Sequence, residues 1–497
     1  MTTASHADWQ ARASALTIEG RAFIDGRYVA ALSGKTFDNV NPATGQTLGQ
    51  IAACDREDVD VAVSSARAAF ESGVWSRMAP VDRKRILLRF AELMATHREE
   101  LAVLESLDVG KPITNAFNGD IPSAISCIQW YAEAIDKLYG EVAPTSPDLT
   151  AMVVREPIGV VAAVVPWNYP LSMSAWKLGP ALAAGNSVIL KPAEQSPLTG
   201  IRIAQLAVEA GLPPGVLNVL PGFGETAGKA LGLHMDVDAV GFTGSTEVGK
   251  LFMQYSGQSN IKRIGLECGG KSPHIVLADC DDLDGAARAV AAGIFANAGQ
   301  VCNAGSRLIV EEPVREALLE RVVAIARDLV PGDPLDPATK LGAIVSQRQM
   351  EGVLRYVDVG REEGARLLTG GVRARASSGG YFIEPTVFDG VDNRMRIAQE
   401  EIFGPVLAAI TVPDLDSALK IANDSIYGLA AGIWTRDIRK AQRASKALRA
   451  GVVWINCFDR GNMSSPFGGF KQSGSGRDKS MHAFDKYMDW KAIWSAA

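Results

Sequence analysis

Between Met152 and Leu266 short apolar runs alternate with amphipathic ones, and nothing else in the sequence restricts the fold as strongly. The extended runs fall at 160–165, 187–190, 216–219, 239–242 and 262–266, with helix-like stretches between them. Strands joined through helices run parallel, and the helices then cover both faces of the sheet. Gly185 and Gly211 stand where two of these helices should stop, each suited to the left-handed position just past a helix end. Sheets of this kind bind ligands beyond the carboxyl ends of their strands, which makes this region the nucleotide-binding candidate.

The flanking regions read differently. Phe23-Ile24-Asp25-Gly26-Arg27-Tyr28 has the Asp-Gly signal of a tight hairpin, and Asn41-Pro42-Ala43-Thr44-Gly45 reads as a second turn. Helical patterns fill 56–137, broken at Gly110-Lys111-Pro112. A second alternating region spans 271–470. The terminal stretch Tyr487-Met488-Asp489-Trp490-Lys491-Ala492-Ile493-Trp494 partly alternates. It reads as a strand that pairs with another chain, or else packs on its own domain.

With 497 residues the chain has room for roughly three domains. Net charge is −6 with both signs interspersed, which excludes a nucleic-acid footprint. The six cysteines (54, 127, 268, 280, 302, 457) lack paired metal spacing, so neither a metal nor a disulfide framework is expected, and the reduced cytoplasm is the expected compartment. The first dozen residues have no apolar core, and the most apolar segment, 159–167, is far too short to span a bilayer, so no membrane role is expected.

The chemistry concentrates at Gly299-Gln300-Val301-Cys302-Asn303-Ala304-Gly305, where one cysteine sits among small and polar residues. A free thiol of pKa about 8.5 is only about 3% thiolate at pH 7, so a nucleophile there needs support. Two stretches offer it. In Pro166-Trp167-Asn168-Tyr169-Pro170 the Asn168 amide can donate to a developing oxyanion, or simply cap its own turn. In Leu266-Glu267-Cys268-Gly269-Gly270-Lys271 a carboxylate ends an apolar strand; it reads as a general base of raised pKa, or as an ordinary surface acid. Its neighbour Cys268 reads as a small packed residue rather than a reactive thiol.

Two nucleotide motifs nearly match and fail. Gly222-Phe223-Gly224-Glu225-Thr226-Ala227-Gly228 carries one residue too many for the dinucleotide fingerprint. Gly244-Ser245-Thr246-Glu247-Val248-Gly249-Lys250 is followed by Leu251, so the magnesium-binding hydroxyl of a P-loop is missing. What survives is a strand end opening a helix at Gly244 and Ser245, whose free N–H groups suit an anion or only a helix cap. Lys191 and Glu194, just past another strand end, suit a ribose or form a solvated turn; a carboxylate there would repel a 2′-phosphate and favour NAD over NADP.

Together these stretches, with Glu401-Ile402-Phe403-Gly404-Pro405 and Ser465-Pro466-Phe467-Gly468-Gly469, resemble the NAD(P)-dependent, hydrolytic branch of the aldehyde dehydrogenase superfamily, collinearly from about Phe23 to the C-terminus. The resemblance implies an enzyme in which Cys302 attacks an aldehyde and Asn168 with the Cys302 backbone N–H holds the oxyanion. It implies Glu267 as the base that hydrolyses the thioester, and Lys177 as a support for proton traffic near Asn168. Trp167, Lys191, Glu194, Gly244, Ser245, Glu401 and Phe403 are implied to bind NAD, with NADP left open. Cys268 stands where the motif usually has an aliphatic residue, and Asn303 is not the commonest neighbour of the nucleophile.

Within the superfamily the chain is most similar to the γ-glutamyl-γ-aminobutyraldehyde and aminoaldehyde dehydrogenases of polyamine catabolism, with a broad aliphatic or aromatic aldehyde dehydrogenase as the alternative. Tyr169, Trp176 and Phe458 are expected to line the substrate tunnel. Asp120 and Asp459 are expected to meet a cationic or amide-bearing tail, or else to be solvated loop acids. The expected fold is α/β: a Rossmann-like NAD-binding domain from 1–138 and 160–266, an α/β catalytic domain from 267–470, and a small β oligomerisation extension from 139–159 and 471–497. A homodimer or homotetramer is implied.

Overall fold

The computed structural model describes residues 4–496. Its first sheet has eight strands, in the order Arg27–Val29, Ala22–Ile24, Leu217–Val219, Ser187–Lys191, Val160–Val164, Ala239–Thr243, Arg263–Glu267 and Gly474–Ser475. The five from Leu217–Val219 to Arg263–Glu267 pair in parallel. Val160–Val164, Ser187–Lys191 and Ala239–Thr243 are buried at every position, as central strands covered on both faces must be. Alternate residues serve opposite cores: Val161 and Ala163 join one, while Val160, Ala162 and Val164 join the other.

Strand order reverses between Val160–Val164 and Ala239–Thr243, which neighbour each other although two other strands separate them in sequence. A reversal opens a crevice beyond the strand ends. The two segments that leave the sheet there are Pro166-Trp167-Asn168 and Gly244-Ser245. The helix Pro170–Ala184 follows the first, with proline in its first turn and Gly185 at φ 102° closing it. It crosses the helix Ile121–Ala134 closely: a Cβ on Gly179 would lie 2.6 Å from the Tyr131 ring.

A second sheet of seven strands runs Arg366–Thr369, Thr386–Asp389, Val406–Val412, Arg307–Glu311, Pro273–Val276, Ala430–Trp434 and Val452–Ile455, parallel except at its first pair. A separate sheet of three strands joins Met488–Ala496 to Leu149–Pro157 and Glu141–Ala143. It leaves Val142, Met152, Trp490, Ile493 and Trp494 exposed.

The expected extension at 471–497 is therefore too long. Gly474–Ser475 pairs instead with Leu266 and Glu267 at the edge of the first sheet. The Lys486 stem lies against Gly265, where a Cβ would meet its Cδ at 2.6 Å. Buried anchoring of this kind ties 474–486 to the body, and only Met488–Ala496 joins the separate sheet.

Candidate active site

A cavity of about 550 Å³ lies where the crevice of the first sheet meets loops of the second. Pro166, Trp167, Asn168, Thr243, Gly244, Ser245, Cys268 and Gly269 line it from the first sheet's strand ends. Val301, Cys302, Asn303, Glu401, Phe403, Val452 and Trp454 line it from the other side.

Cys302 sits on a loop between the helix Leu283–Phe295 and the strand Arg307–Glu311. Three successive residues before it are left-handed: Asn297 at φ 49°, Ala298 at 54° and Gly299 at 74°. Such conformations cost of order 1 kcal/mol each for residues other than glycine and persist only where surrounding contacts fix them. At Gly299 no side chain fits, since a Cβ would lie 2.1 Å from the Gly404 carbonyl. Buried Gln300 then ties the loop down: its side-chain amide donates to the carbonyls of Asn297 (3.1 Å) and Ala343 (3.2 Å) and accepts from Val345 N–H (2.9 Å).

The Asn168 amide donates to the Gln300 carbonyl at 2.9 Å, and the Asn168 carbonyl accepts from the Asn297 amide at 3.0 Å. Asn168 thus caps no turn of its own; its amide is tethered to the nucleophile's loop with one N–H to spare. Burial, reinforced by Glu401, Asp459 and Glu267, pushes the Cys302 thiol up to about 12. The thiol is held in reserve rather than spontaneously ionised.

Glu267 is nearby but withdrawn. It does not line the cavity, and neither carboxyl oxygen has a hydrogen-bond partner. Gly468, at φ 156°, makes the space: a Cβ there would fall 2.7 Å from Glu267 Oε1. Burial and the adjacent Asp478 hold the carboxyl well above the ordinary glutamate range. Behind it lies a buried ion triad in which Lys177 and Lys486 each donate to one oxygen of Asp478. Lys177, expected to support proton traffic near Asn168, does not line the cavity and donates to Asp478. The sulfur and the amide share the cavity, and the carboxyl lies outside its lining.

Elsewhere in the lining the Trp167 and Phe403 rings meet edge to face at 5.2 Å, and Glu401 Oε1 accepts from Gly270 N–H at 3.2 Å. Ser245 both lines the cavity and caps the helix Thr246–Gln258, accepting from Val248 N–H. Lys191 and Glu194 stand 4.0 Å apart, outside the cavity lining, beyond the strand that Lys191 ends. Cys268 packs as a small residue: a Cβ on Gly249 would lie 2.8 Å from its sulfur. Among the described residues no three His, Cys, Asp or Glu side chains gather to hold a metal ion, and no helix is long and apolar enough to cross a membrane.

The model of the aldehyde dehydrogenase family matches residues 28–493. The chain belongs to the aldehyde dehydrogenase family. It is 52% identical to the NADP/NAD-dependent aldehyde dehydrogenase PuuC of Escherichia coli over 486 residues, 98% of this chain and 97% of that one. The structure of an indole-3-acetaldehyde dehydrogenase complexed with NAD+ superposes with a TM-score of 0.99 at 57% identity, covering 100% of both chains. A γ-glutamyl-γ-aminobutyraldehyde dehydrogenase from Burkholderia cenocepacia gives a TM-score of 0.98 at 56% identity, over 99% of this chain and 100% of that one.

In this aldehyde dehydrogenase Asp120, Tyr169, Trp176 and Asp459 line the cavity, and Phe458 does not. Phe458 stacks on His274 with centroids 4.5 Å apart and planes 12° apart, in the core. That ring is drawn inward because His274, fixed by the Trp434 N–H at 2.9 Å, offers it a flat apolar seat. Phe467 and Trp454 supply the wall instead. Sequence reasoning also missed Lys111, which pairs with Asp120 and lies 3.8 Å from the Tyr169 ring centroid. It missed Lys479 and the Asp478–Lys486 pair, because nothing in a short run of charges says which will be buried.

Proposed function

We propose that this aldehyde dehydrogenase oxidises an ω-aldehyde of the γ-glutamyl-γ-aminobutyraldehyde or ω-aminoaldehyde class to its carboxylic acid, with NAD as cofactor. The observation that carries the chemistry is the pairing of Cys302 and Asn168 in one cavity, joined through the Gln300 carbonyl. The relative from Burkholderia cenocepacia carries the substrate class by name.

The cavity residues fit a nicotinamide dinucleotide. Gly269 has no side chain where a Cβ would lie 1.8 Å from Glu401, so that carboxylate reaches the cavity beside the Trp167–Phe403 wall and can accept from ribose hydroxyls. Gly244 and Ser245 present a helix N-terminus to a pyrophosphate. Glu194 favours NAD over NADP, and the dual dependence named for the Escherichia coli relative keeps NADP as a second cofactor. When bound, the nicotinamide supplies the hydride acceptor.

The chain's own residues do the rest. The Cys302 thiol gives its proton to solvent water as its sulfur bonds the aldehyde carbon, whose carbonyl π pair moves to the oxygen. The free Asn168 N–H and the Cys302 backbone N–H stabilise the oxyanion. Once the carbon is oxidised to a thioester, Glu267 rotates inward and takes a proton from the attacking water. The carbon–sulfur bond breaks, the acid leaves, and the Cys302 sulfur takes up the proton that Glu267 had accepted from water.

The exposed apolar strand Met488–Ala496 supports assembly as a homodimer or homotetramer. Six free cysteines support a cytoplasmic site of action. A second reading, a broad aliphatic or aromatic aldehyde dehydrogenase, draws on the rings of Tyr169, Trp176, Trp454 and Phe467 along the tunnel. Steady-state kinetics with NAD on 4-aminobutyraldehyde, its γ-glutamyl derivative and hexanal separate the two. A clear preference for hexanal overturns the first.

A further inference from the structure

The acids at the outer tunnel are already engaged. Asp120 pairs with Lys111, and Asp459 Oδ1 accepts from the Asn303 amide at 2.8 Å. Lys479 is different. Its ammonium lies 4.4 Å from the Trp176 ring centroid and 5.5 Å from that of Phe467, and among the described residues it has no carboxylate within 4.0 Å. The aromatic faces hold the cation by their quadrupoles but leave its hydrogen-bonding capacity unspent.

The backbone is built to keep it there. Lys479 and Ser480 are both left-handed, at φ 58° and 49°, an arrangement that side chains other than glycine adopt only under constraint. The constraint is visible on both sides. Asp478 exchanges two backbone hydrogen bonds with Phe467, at 2.7 and 2.8 Å, besides anchoring its two lysines. Ser480 N–H donates to Met463 at 2.7 Å, and its carbonyl accepts from the Tyr131 hydroxyl at 3.2 Å. Lys479 is thus presented to the cavity by a clamped, strained turn. Arg460 adds a second cation to the same lining.

We propose that Lys479 is a specificity-determining residue that binds a carboxylate at the distal end of the aldehyde substrate, among the rings of Trp176 and Phe467. The assignment rests on the substrate reading above and sharpens it. A γ-glutamyl aldehyde carries such a carboxylate, whereas a simple aminoaldehyde brings only a cation to a lining where Lys479 and Arg460 stand with Asp459, the carboxylate that acts most on Lys479.

The test compares kcat/KM for γ-glutamyl-γ-aminobutyraldehyde, 5-oxopentanoate and hexanal in the wild type, Lys479→Met and Lys479→Arg. Methionine keeps the stem over the rings and removes the charge. The ratio of either carboxylated aldehyde to hexanal should fall roughly 10- to 100-fold in Lys479→Met, mostly through KM, and recover in Lys479→Arg. An unchanged ratio in Lys479→Met, or arginine no better than methionine, overturns the assignment. Wild-type preference for hexanal would defeat the substrate reading separately, while the response of 5-oxopentanoate to Lys479→Met still decides whether this ammonium binds carboxylates.

Discussion

Asn168 donates its side-chain amide to the Gln300 carbonyl across 2.9 Å, and Gln300 stands two residues before Cys302, the proposed nucleophile. The bond fixes the amide plane relative to the sulfur before any substrate arrives, which is the preorganisation an oxyanion donor needs. Removing Asn168 leaves the Gln300 carbonyl with the Asn297 amide at 3.3 Å, so the loop keeps a partner. Asn168→Ala should therefore lose roughly 10²–10³ in kcat with little change in Tm. Steady-state kinetics beside a thermal melt check this, and a loss of less than about threefold would remove Asn168 from the oxyanion site.

The thiol carries a signature in pH. Burial and three neighbouring carboxyl groups push Cys302 up to about 12, so the free enzyme is almost all thiol at neutral pH. Its thiolate fraction then rises about tenfold per pH unit until the pKa is approached. Alkylation of Cys302 by iodoacetamide in the apoenzyme should accelerate accordingly between pH 7 and 9, with Cys302→Ala as the blank. That variant should also form no NADH. A rate flat across this range would show a thiolate already present.

Glu267 does not line the cavity, and the proposed reaction calls on it only to activate the hydrolytic water. In Glu267→Gln the isosteric amide fits the space beside Gly468 but takes no proton from water. The expected trace is a pre-steady-state burst of NADH followed by a steady state slowed by about 10²-fold or more, the usual contribution of general-base catalysis. Full turnover in this variant would assign the hydrolytic proton to another group.

What the sequence revealed and concealed follows from how local each signal is. Parallel strands announce themselves because Val160–Val164 and Ser187–Lys191 are apolar throughout, and strand ends at Gly244 and Glu267 mark where ligands gather. Cys302 stood out among small residues. The long-range geometry was not written locally. The ion pair of Lys177 was not legible because its partner Asp478 lies three hundred and one positions away, and Phe458 looked like a tunnel wall because the flat face of His274 is invisible in sequence. Lys479 was silent for the same reason: its position depends on Phe467 and Tyr131, which clamp the residues beside it.

The triad behind Glu267 supplies a test of stability. Asp478 is fully buried; burial alone would raise its pKa, but Lys177 and Lys486 outweigh that and hold it below the ordinary carboxylate range. A carboxyl lowered on folding stabilises the protein above its unfolded pKa of about 3.9, and that contribution fades only as pH falls toward the lower folded value. Asp478→Asn leaves two buried ammoniums facing a neutral amide, and breaking a buried pair in this way costs about 3–5 kcal/mol. At pH 7 the variant should melt roughly 5 °C or more below the wild type. The gap should narrow below about pH 4, where the unfolded chain takes up a proton that the folded Asp478 still lacks. Adding Lys486→Met removes one stranded ammonium, so the double variant should regain part of the loss. If the single variant melts with the wild type at pH 7, the charges are solvated and the triad supports nothing; if the double variant is no better than the single, repulsion between the lysines is not what the aspartate relieves.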